Sequence, residues 1–445
     1  MNKLVLTALL AAPGLAAADV PSSSPAPASQ KLTFETAIEL ALGQNPDVRS
    51  AKETVDSAEA KGAGQRANRW ATLGVSSALD WYKDPYSIAF GSLGTFQLHG
   101  EFTTATSVQV QQPFTGLAYL QEMVDATEHQ TASTRHDYDK TRLDTAYRTA
   151  DAYIRVLQAR ASADVAHKSV DDIQSELDRA KQLRAADTYT DIDVLRFTSA
   201  KAAADQTAIR ADSAIQSALG GLAVQLGLRD GAPIDLDDDL PPQPPALALS
   251  LDQSQRRAIE ARPELASAQE QIDAADAQRK AAWDHYLPDI RGVAAWNHLT
   301  GSQPFAPGDE YYLGISIQWN VWNWGATQDA ITDAKAQEQR AMTARNALLD
   351  QVKLDVRNRW LDAKTGFDSL AAAQTQEQTA EEALRLQKVR FDNAAATTTD
   401  VLDAQTDAAR ARLAFATARF DYYRALVALA RAVGDLPSSS AGVKP

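Results

Sequence analysis

The chain has 445 residues, a formal net charge of −14 and no cysteine. This acidic balance argues against a nucleic-acid partner, because phosphate binding needs clustered Lys and Arg. The lack of cysteine excludes disulfides, thiolate metal sites and lipid attachment to an N-terminal cysteine.

The first residues are predicted to be an export signal. Lys3 is followed by a mainly apolar run, and three consecutive alanines then suit cleavage before Asp19. The apolar run is too short to span a membrane. We therefore predict a signal peptide at residues 1–18 and a flexible Ser- and Pro-rich segment at residues 19–31.

The remainder of the chain contains an internal repeat. The stretch LTFETAIELALGQNPDV from Leu32 matches LSLDQSQRRAIEARPEL from Leu249. Further along, Tyr153 pairs with Trp360 and Gly227 pairs with Gly434. The predicted organisation is a first repeat at 32–228, an acidic Pro-rich connector at 229–248, a second repeat at 249–436 and a flexible tail at 437–445. The connector should not form a packed element.

Each repeat begins with helical signals and then changes to a period of two. A proline ends a short helix at QNP and again at EARP, and an Ala-rich helix follows. The alternating segments predict four strands, at about 72–82, 104–114, 289–299 and 311–321. Each has about the 9 to 11 residues that a tilted strand needs to cross a bilayer.

Aromatic residues cluster at the ends of these strands, where membrane-interface girdles belong. They are Trp81, Tyr82, Tyr311, Tyr312, Trp319, Trp322 and Trp324. The alternative is an ordinary sheet with its aromatic residues in a core. Four strands cannot close a membrane barrel, because open edges in lipid leave backbone groups without hydrogen bonds. Two copies would give eight strands and three copies twelve, and this argument does not choose between them.

Long helices follow each strand pair. No proline occurs from Leu117 to Asp187 or from Ala326 to Asn393. A continuous helix of roughly 70 residues would be about 100 Å long. The segments that follow, to Leu219 and to Val433, are predicted to return antiparallel beside these helices as coiled coils.

With these features the chain resembles the TolC-like outer-membrane efflux family over nearly its whole mature length. The matching stretches are the NPDV and RPEL turns, the strand ends VQVQQPFTG and ISIQWNVWNWG, and the segment TTTDVLDAQTDAARARLAFATARFDYYRALVALARAVG. The resemblance implies a mainly α fold with a β-barrel part: a homotrimer with a twelve-stranded barrel in the outer membrane of a Gram-negative bacterium and a long helical barrel in the periplasm. It implies the exit duct of a tripartite efflux or type I secretion system, partnered by a periplasmic adaptor and an inner-membrane pump.

The resemblance also implies a site. In the family, the DVLDA segment lies at the narrow periplasmic tip, so Asp400 and Asp403 would face the lumen as two acidic rings that favour cations. The alternative is that Asp400 is only a helix N-terminal acid. Asp193 matches Asp400 in the first repeat, but Arg196 stands in place of the second acid. Arg196 would either pair with the acids and help to hold the entrance closed or lie exposed on a solvated helix face.

A second departure from the family concerns its closed-state latch, an arginine between a turn aromatic and the acidic motif. Phe391 occupies the aromatic position, and Ala396 stands where the arginine belongs. The family latch therefore cannot be assigned to this chain, and the closed state must rest on other contacts or be less stable.

No pattern indicates catalysis, a cofactor or a resident metal. The six histidines form no recognised ligand motif, although two of them are seven residues apart and share a predicted helix face. They are His99, His129, His136, His167, His285 and His298. The rival from another class is a soluble periplasmic coiled-coil protein that bridges partners without conducting. Fractionation separates the two hypotheses, because a duct needs detergent.

Overall fold

The computed structural model describes residues 31–437 apart from 90, 115, 187–188, 230, 239, 302–307 and 394. The predicted signal peptide, nearly all of the segment at 19–31 and nearly all of the tail lie outside the described residues. The connection between the last two predicted strands lies partly outside them.

The elements occur in the same order in two halves, except that the first half has two additional short strands, β2 and β3. The first half contains α1 (Phe34–Gln44), α2 (Pro46–Ala67), β1 (Thr72–Trp81), β2 (Tyr86–Ala89), β3 (Thr95–His99), β4 (Phe102–Pro113), α3 (Leu117–Ala185) and α4 (Asp191–Gln225). The second half contains α5 (Leu251–Ala261), α6 (Pro263–Asp284), β5 (Asp289–Thr300), β6 (Asp309–Gln318), α7 (Ala326–Asp392) and α8 (Thr398–Val433). The mainly helical class and the four long strands are thus confirmed.

Local sequence explains where the short helices begin. Thr33 and Ser250 form capping boxes at the starts of α1 and α5. Pro46 and Pro263 occupy the first turns of α2 and α6, where a missing backbone N–H has no cost. The same signals therefore start equivalent helices in both halves.

Tertiary contacts repeat as well. The Tyr153 hydroxyl donates to the carbonyl of Leu32 at 3.1 Å, and the Trp360 indole donates to the carbonyl of Leu249 at 3.0 Å. The sequence repeat matches Tyr153 with Trp360 and Leu32 with Leu249, so equivalent residues make the same contact in both halves. Each aromatic side chain fixes the start of its half against its long helix.

The long helices form the body of the molecule. α3 has 69 residues and α7 has 67, so each is about 100 Å long. α4 packs along α3 and α8 along α7, while α6 and α8 also pack on α3. α4 continues through Gly220 and Gly221 to Gln225, beyond the predicted end at Leu219, because its packing outweighs the low helix propensity of glycine. Among the described helices, none combines the length and the apolar character needed to cross a membrane.

The strands form one antiparallel sheet in the order β1-β4-β5-β6. Directly opposed residues point to the same face. One face carries an apolar row, Val75, Val108, Trp296 and Tyr311, and the other a polar row, Ser76, Ser107, Asn297 and Glu310. Every residue of β1 is exposed, and in the described chain β1 and β6 each pair on one side only.

The connection between β1 and β4 contains a small hairpin, β2 and β3, in addition to the four strands that the sequence predicted. These strands have four and five residues, too short for their alternation to stand out. The rings of Tyr82 and Tyr86 pack on His99, at centroid distances of 4.1 and 5.9 Å. The hairpin is therefore held by aromatic contacts.

The main core lies where α1, α3, α4 and α8 meet. Phe34 packs edge-on against Tyr153, with ring centroids 5.5 Å apart. Leu222 and Val427 join them from α4 and α8. This core joins the two halves.

The connector is packed on this core, so the expectation that it would not be packed is wrong. Leu236 and Leu240 are buried in the core. The Tyr422 hydroxyl donates to the carbonyl of Pro245 at 2.7 Å, and Tyr423 donates to the carbonyl of Pro241. Burial raises the pKa of each phenol to about 12. Proline prevents regular structure here, yet its carbonyl still accepts side-chain hydrogen bonds.

Candidate functional site

The turns between α3 and α4 and between α7 and α8 have the same helix-start geometry. The Asp400 carboxylate accepts hydrogen bonds from the backbone N–H and the hydroxyl of Thr397, at 2.7 and 2.8 Å. The Asp193 carboxylate accepts the same pair from Thr190, at 3.1 and 2.6 Å. Both are capping boxes, in which an acid at the third helical position satisfies donors at the helix start.

These hydrogen bonds favour the charged form of both acids. Bonds from the backbone and then the hydroxyl of Thr397 lower the pKa of Asp400. The Thr190 hydroxyl is the main cause of the lowered pKa of Asp193, and the Thr398 hydroxyl contributes. The helix-start role considered for Asp400 is therefore present, and both carboxylates are ionised at neutral pH.

Asp403 lies one turn further along α8 and is exposed. With Asp400 and Asp407 it lines a groove of about 930 Å³ between α7 and α8. The facing wall mixes polar and apolar side chains: Thr375, Gln376, Thr379, Gln387 and Arg390 alternate with Ala372, Ala380, Ala383 and Leu386. Asp407 was not among the predicted site residues, although residues spaced by three and four positions share a helix face. Three acids, rather than two, thus line one surface.

Arg196 bonds to a hydroxyl in this structure. Its guanidinium donates to the Thr399 hydroxyl at 2.9 Å, and the neighbouring Thr398 hydroxyl donates to Asp193 at 2.8 Å. Arg196 itself is exposed. Both hydrogen bonds join α4 of the first half to the start of α8 in the second.

Other contacts join the two turns where the family has its latch. Phe391 packs edge-on against Tyr189, with ring centroids 5.5 Å apart. The neighbouring Asp392 forms a 2.6 Å ion pair with Arg179 of α3. Ala396 offers only a methyl group. An aromatic pair and an ion pair therefore connect the two turns within one chain.

A buried amide interrupts the packing of α8 near this turn. Gln405 is only 6% exposed, between the buried residues Val401 and Ala408 on one helix face. Both of its side-chain amide atoms lack a hydrogen-bond partner among the described residues. A buried polar group without a hydrogen-bond partner reduces stability by about 1–3 kcal/mol. This stretch of α8 is therefore less stable than it would be with an apolar side chain at position 405.

At the other end of the molecule, the strand pairing shows on which face of the sheet each predicted interface aromatic residue lies. Trp81 and Tyr311 lie on the apolar face of the sheet, whereas Tyr312 lies on the polar face. Tyr82 follows β1 and packs on His99. Trp319, Trp322 and Trp324 follow β6 and are exposed.

The sequence profile of the outer membrane efflux protein family matches residues 37–228 and 255–435. The chain belongs to this family. The two matched segments correspond to the two halves of the structure.

Individual outer membrane efflux proteins and solved structures agree with this assignment. The chain is 25% identical over 350 residues to the outer membrane efflux protein BepC of Brucella suis biovar 1 (strain 1330). The aligned region covers 77% of this chain and 75% of BepC. A membrane protein from Pseudomonas aeruginosa superimposes with a TM-score of 0.77 at 18% identity, over 90% of both chains. The outer membrane protein VceC of Vibrio cholerae superimposes with a TM-score of 0.74 at 18% identity, over 90% of this chain and 96% of its own. The two structures establish the fold.

Proposed function

We propose that three copies of this chain form the exit duct of a tripartite efflux or type I secretion system, which conducts substrate passively across the periplasm and outer membrane. One observation carries the proposal. A four-stranded sheet with one apolar and one polar face, open at both edges, is joined to helices about 100 Å long.

The open edges argue for assembly. An unpaired strand edge is not tolerated in lipid, so β6 of one copy would pair with β1 of the next. Three copies give a closed barrel of twelve strands. The apolar row with Val75 and Tyr311 would then face lipid, and the polar row with Ser76 and Glu310 would line the channel. Trimers are the assembly of this family, which favours three copies over two.

The groove acids would form the entrance. In a trimer, Asp400, Asp403 and Asp407 supply nine carboxylates around the axis, each group of three opposite the Arg390 of its own chain. Rings of acids favour cations and resist anions. The contacts of Arg196 with Thr399 and of Phe391 with Tyr189 would hold the entrance narrow.

The partners follow from this role. A duct supplies no energy, so an inner-membrane pump would drive transport and select the cargo. A periplasmic adaptor would join the pump to the helical tip. The setting is the outer membrane of a Gram-negative bacterium, with lipid around the sheet.

Single-channel recording in planar bilayers tests the proposal. The variant Asp400→Asn with Asp403→Asn removes two charges per chain, and an amide oxygen can still accept a hydrogen bond from Thr397. We expect a cation-selective wild type and a clearly less selective variant. The matched control, Asp362→Asn with Asp368→Asn, removes equal charge from exposed positions of α7 about 40 Å from the turn and should leave selectivity unchanged.

The outcomes separate the parts of the proposal. If the variant with Asp400→Asn and Asp403→Asn conducts with unchanged selectivity, the protein is a duct whose constriction lies elsewhere. Folded protein that fractionates without detergent and never inserts would instead support the soluble bridging protein. The exposed apolar face of the sheet disfavours that alternative.

A further inference from the structure

A separate cluster of ionisable side chains lies between α3 and α6. His129 of α3 meets Glu270 and Asp273 of α6, and one ligand atom from each lies within 4.8 Å of the others. The Nδ1 atom of His129 is 2.7 Å from Oε2 of Glu270. Along α3, His129 is about 18 Å from the start of the helix near the sheet and about 85 Å from its end near the α3–α4 turn. The cluster is therefore remote from the groove acids.

We propose that this cluster binds a divalent first-row transition-metal ion, with one imidazole nitrogen and two carboxylate oxygens as ligands. Glu270 and Asp273 are three residues apart and share a face of α6. Together they present two negative charges to an imidazole that is a metal ligand when neutral. A divalent cation would balance these charges while using all three side chains.

The surroundings of these two acids differ from those of Glu264 and Asp276 on the same helix. Glu264 pairs with Arg431 at 3.2 Å, and Asp276 pairs with Lys280 at 3.0 Å. Among the described residues, neither Glu270 nor Asp273 has an ion pair with lysine or arginine; the ion pair of Glu270 is with His129. All three side chains are partly buried, so solvent screens their charges only in part. This part of α6 thus places two carboxylates that lack a lysine or arginine partner beside a nitrogen ligand.

The donor set selects the class of metal. Imidazole nitrogen with carboxylate oxygen suits Zn²⁺ and its first-row neighbours, whereas Ca²⁺ and Mg²⁺ prefer oxygen ligands alone. Three protein ligands leave at least one coordination position for water. The ion would clamp α3 of the first half to α6 of the second, just below the strands. His136, seven residues from His129, is not part of the cluster.

Metal titration of the full-length, detergent-purified protein after EDTA treatment tests the site. Zn²⁺ followed by calorimetry, and Co²⁺ followed by visible absorption, should each bind at one ion per chain. Loss of a supporting residue alone weakens metal sites by about 10–100-fold, so His129→Ala, or Glu270→Gln with Asp273→Asn, should raise the Kd about 100-fold or more. His136→Ala is the matched control and should bind as the wild type does.

A second readout separates a specific site from surface binding. Zn²⁺ should raise the unfolding temperature of the wild type and of His136→Ala, because a ligand that binds the folded state stabilises it, but not that of His129→Ala. The assignment is overturned if the wild type takes up less than one ion per chain, if the His129 variant binds equally well, or if Mg²⁺ or Ca²⁺ displaces Zn²⁺. None of these results depends on channel activity.

Discussion

Replacement of Arg431 by methionine should destabilise the folded chain by about 2–3 kcal/mol. Arg431 projects from α8 to carboxylates on three other helices: Asp144 of α3 at 2.8 Å, Glu264 of α6 at 3.2 Å and Asp355 of α7 at 3.6 Å. Methionine keeps much of the apolar stem but removes the charge. The variant therefore tests the ion network that joins the two halves.

The magnitude follows from the partial burial of this network. Removing one partner of a fully buried ion pair costs about 3–5 kcal/mol, whereas an exposed pair contributes about 0–1 kcal/mol. The side chain of Arg431 is 23% exposed and its three acids are 12–29% exposed, which places the cost between these limits. Asp355 keeps its ion pair with Arg262, so Asp144 and Glu264 bear most of the loss.

Urea unfolding of detergent-purified protein, followed by helical circular dichroism, measures this free energy. Arg385→Met is the matched control, because its pair with Glu382 is largely exposed, and it should unfold as the wild type does. Adding Asp144→Asn to Arg431→Met should recover part of the loss by removing an uncompensated charge. Equal midpoints for the Arg431 and Arg385 variants would refute the reasoning.

Three further changes have defined outcomes. Gly434 has φ +89°, and an added Cβ would lie 2.9 Å from the backbone of α5. Gly434→Ala should therefore destabilise the protein by more than the roughly 1–2 kcal/mol that alanine loses in a left-handed conformation. Gly231 has φ +77° and open space around an added Cβ, so Gly231→Ala should reduce stability by only that amount. Equal losses of stability for the two variants in thermal unfolding would contradict the contact between residue 434 and α5. Gln405→Leu should stabilise the protein by about 1–3 kcal/mol, and an unraised unfolding midpoint would show that its amide is satisfied. Because its pKa is lowered, Asp400 should keep its charge, and any cation selectivity that depends on it, until the pH falls below the usual aspartate value of about 3.9. The contribution of the Asp400 carboxylate to stability is present above that value and is lost as the pH falls through the lowered pKa. Reversal potentials measure the selectivity between pH 7 and 3, and unfolding midpoints measure the stability over the same range. A loss of either property above pH 5 would contradict the capping geometry.

Local signals allowed much of the fold to be predicted. Alternation over about ten residues identified four strands, and the lack of proline identified α3 and α7 to within a few residues. The alternative considered for Asp400, a helix N-terminal acid, is present in the structure as a capping box with Thr397. The β2–β3 hairpin escaped because its strands are too short for a periodic signal.

The candidate site was only partly accessible to the same reasoning. Asp400 and Asp403 were chosen through a resemblance, and the third groove acid, Asp407, was within reach of the helical spacing alone. The partner of Arg196 was not, because Thr399 lies about two hundred residues away in the sequence. Which hydroxyl an arginine reaches depends on how two helix pairs are placed, and no local pattern encodes that distance.

The sequence by itself determined the periods, the helix starts and the duplication, because these depend on residues within one or two turns of each other. Only the tertiary structure decided which residues meet across the halves. It placed Tyr311 opposite Trp296 through strand register, packed Leu236 into the core, and brought His129 to Glu270. Such contacts join segments that are distant in the chain, and they follow from the packing of whole helices and strands.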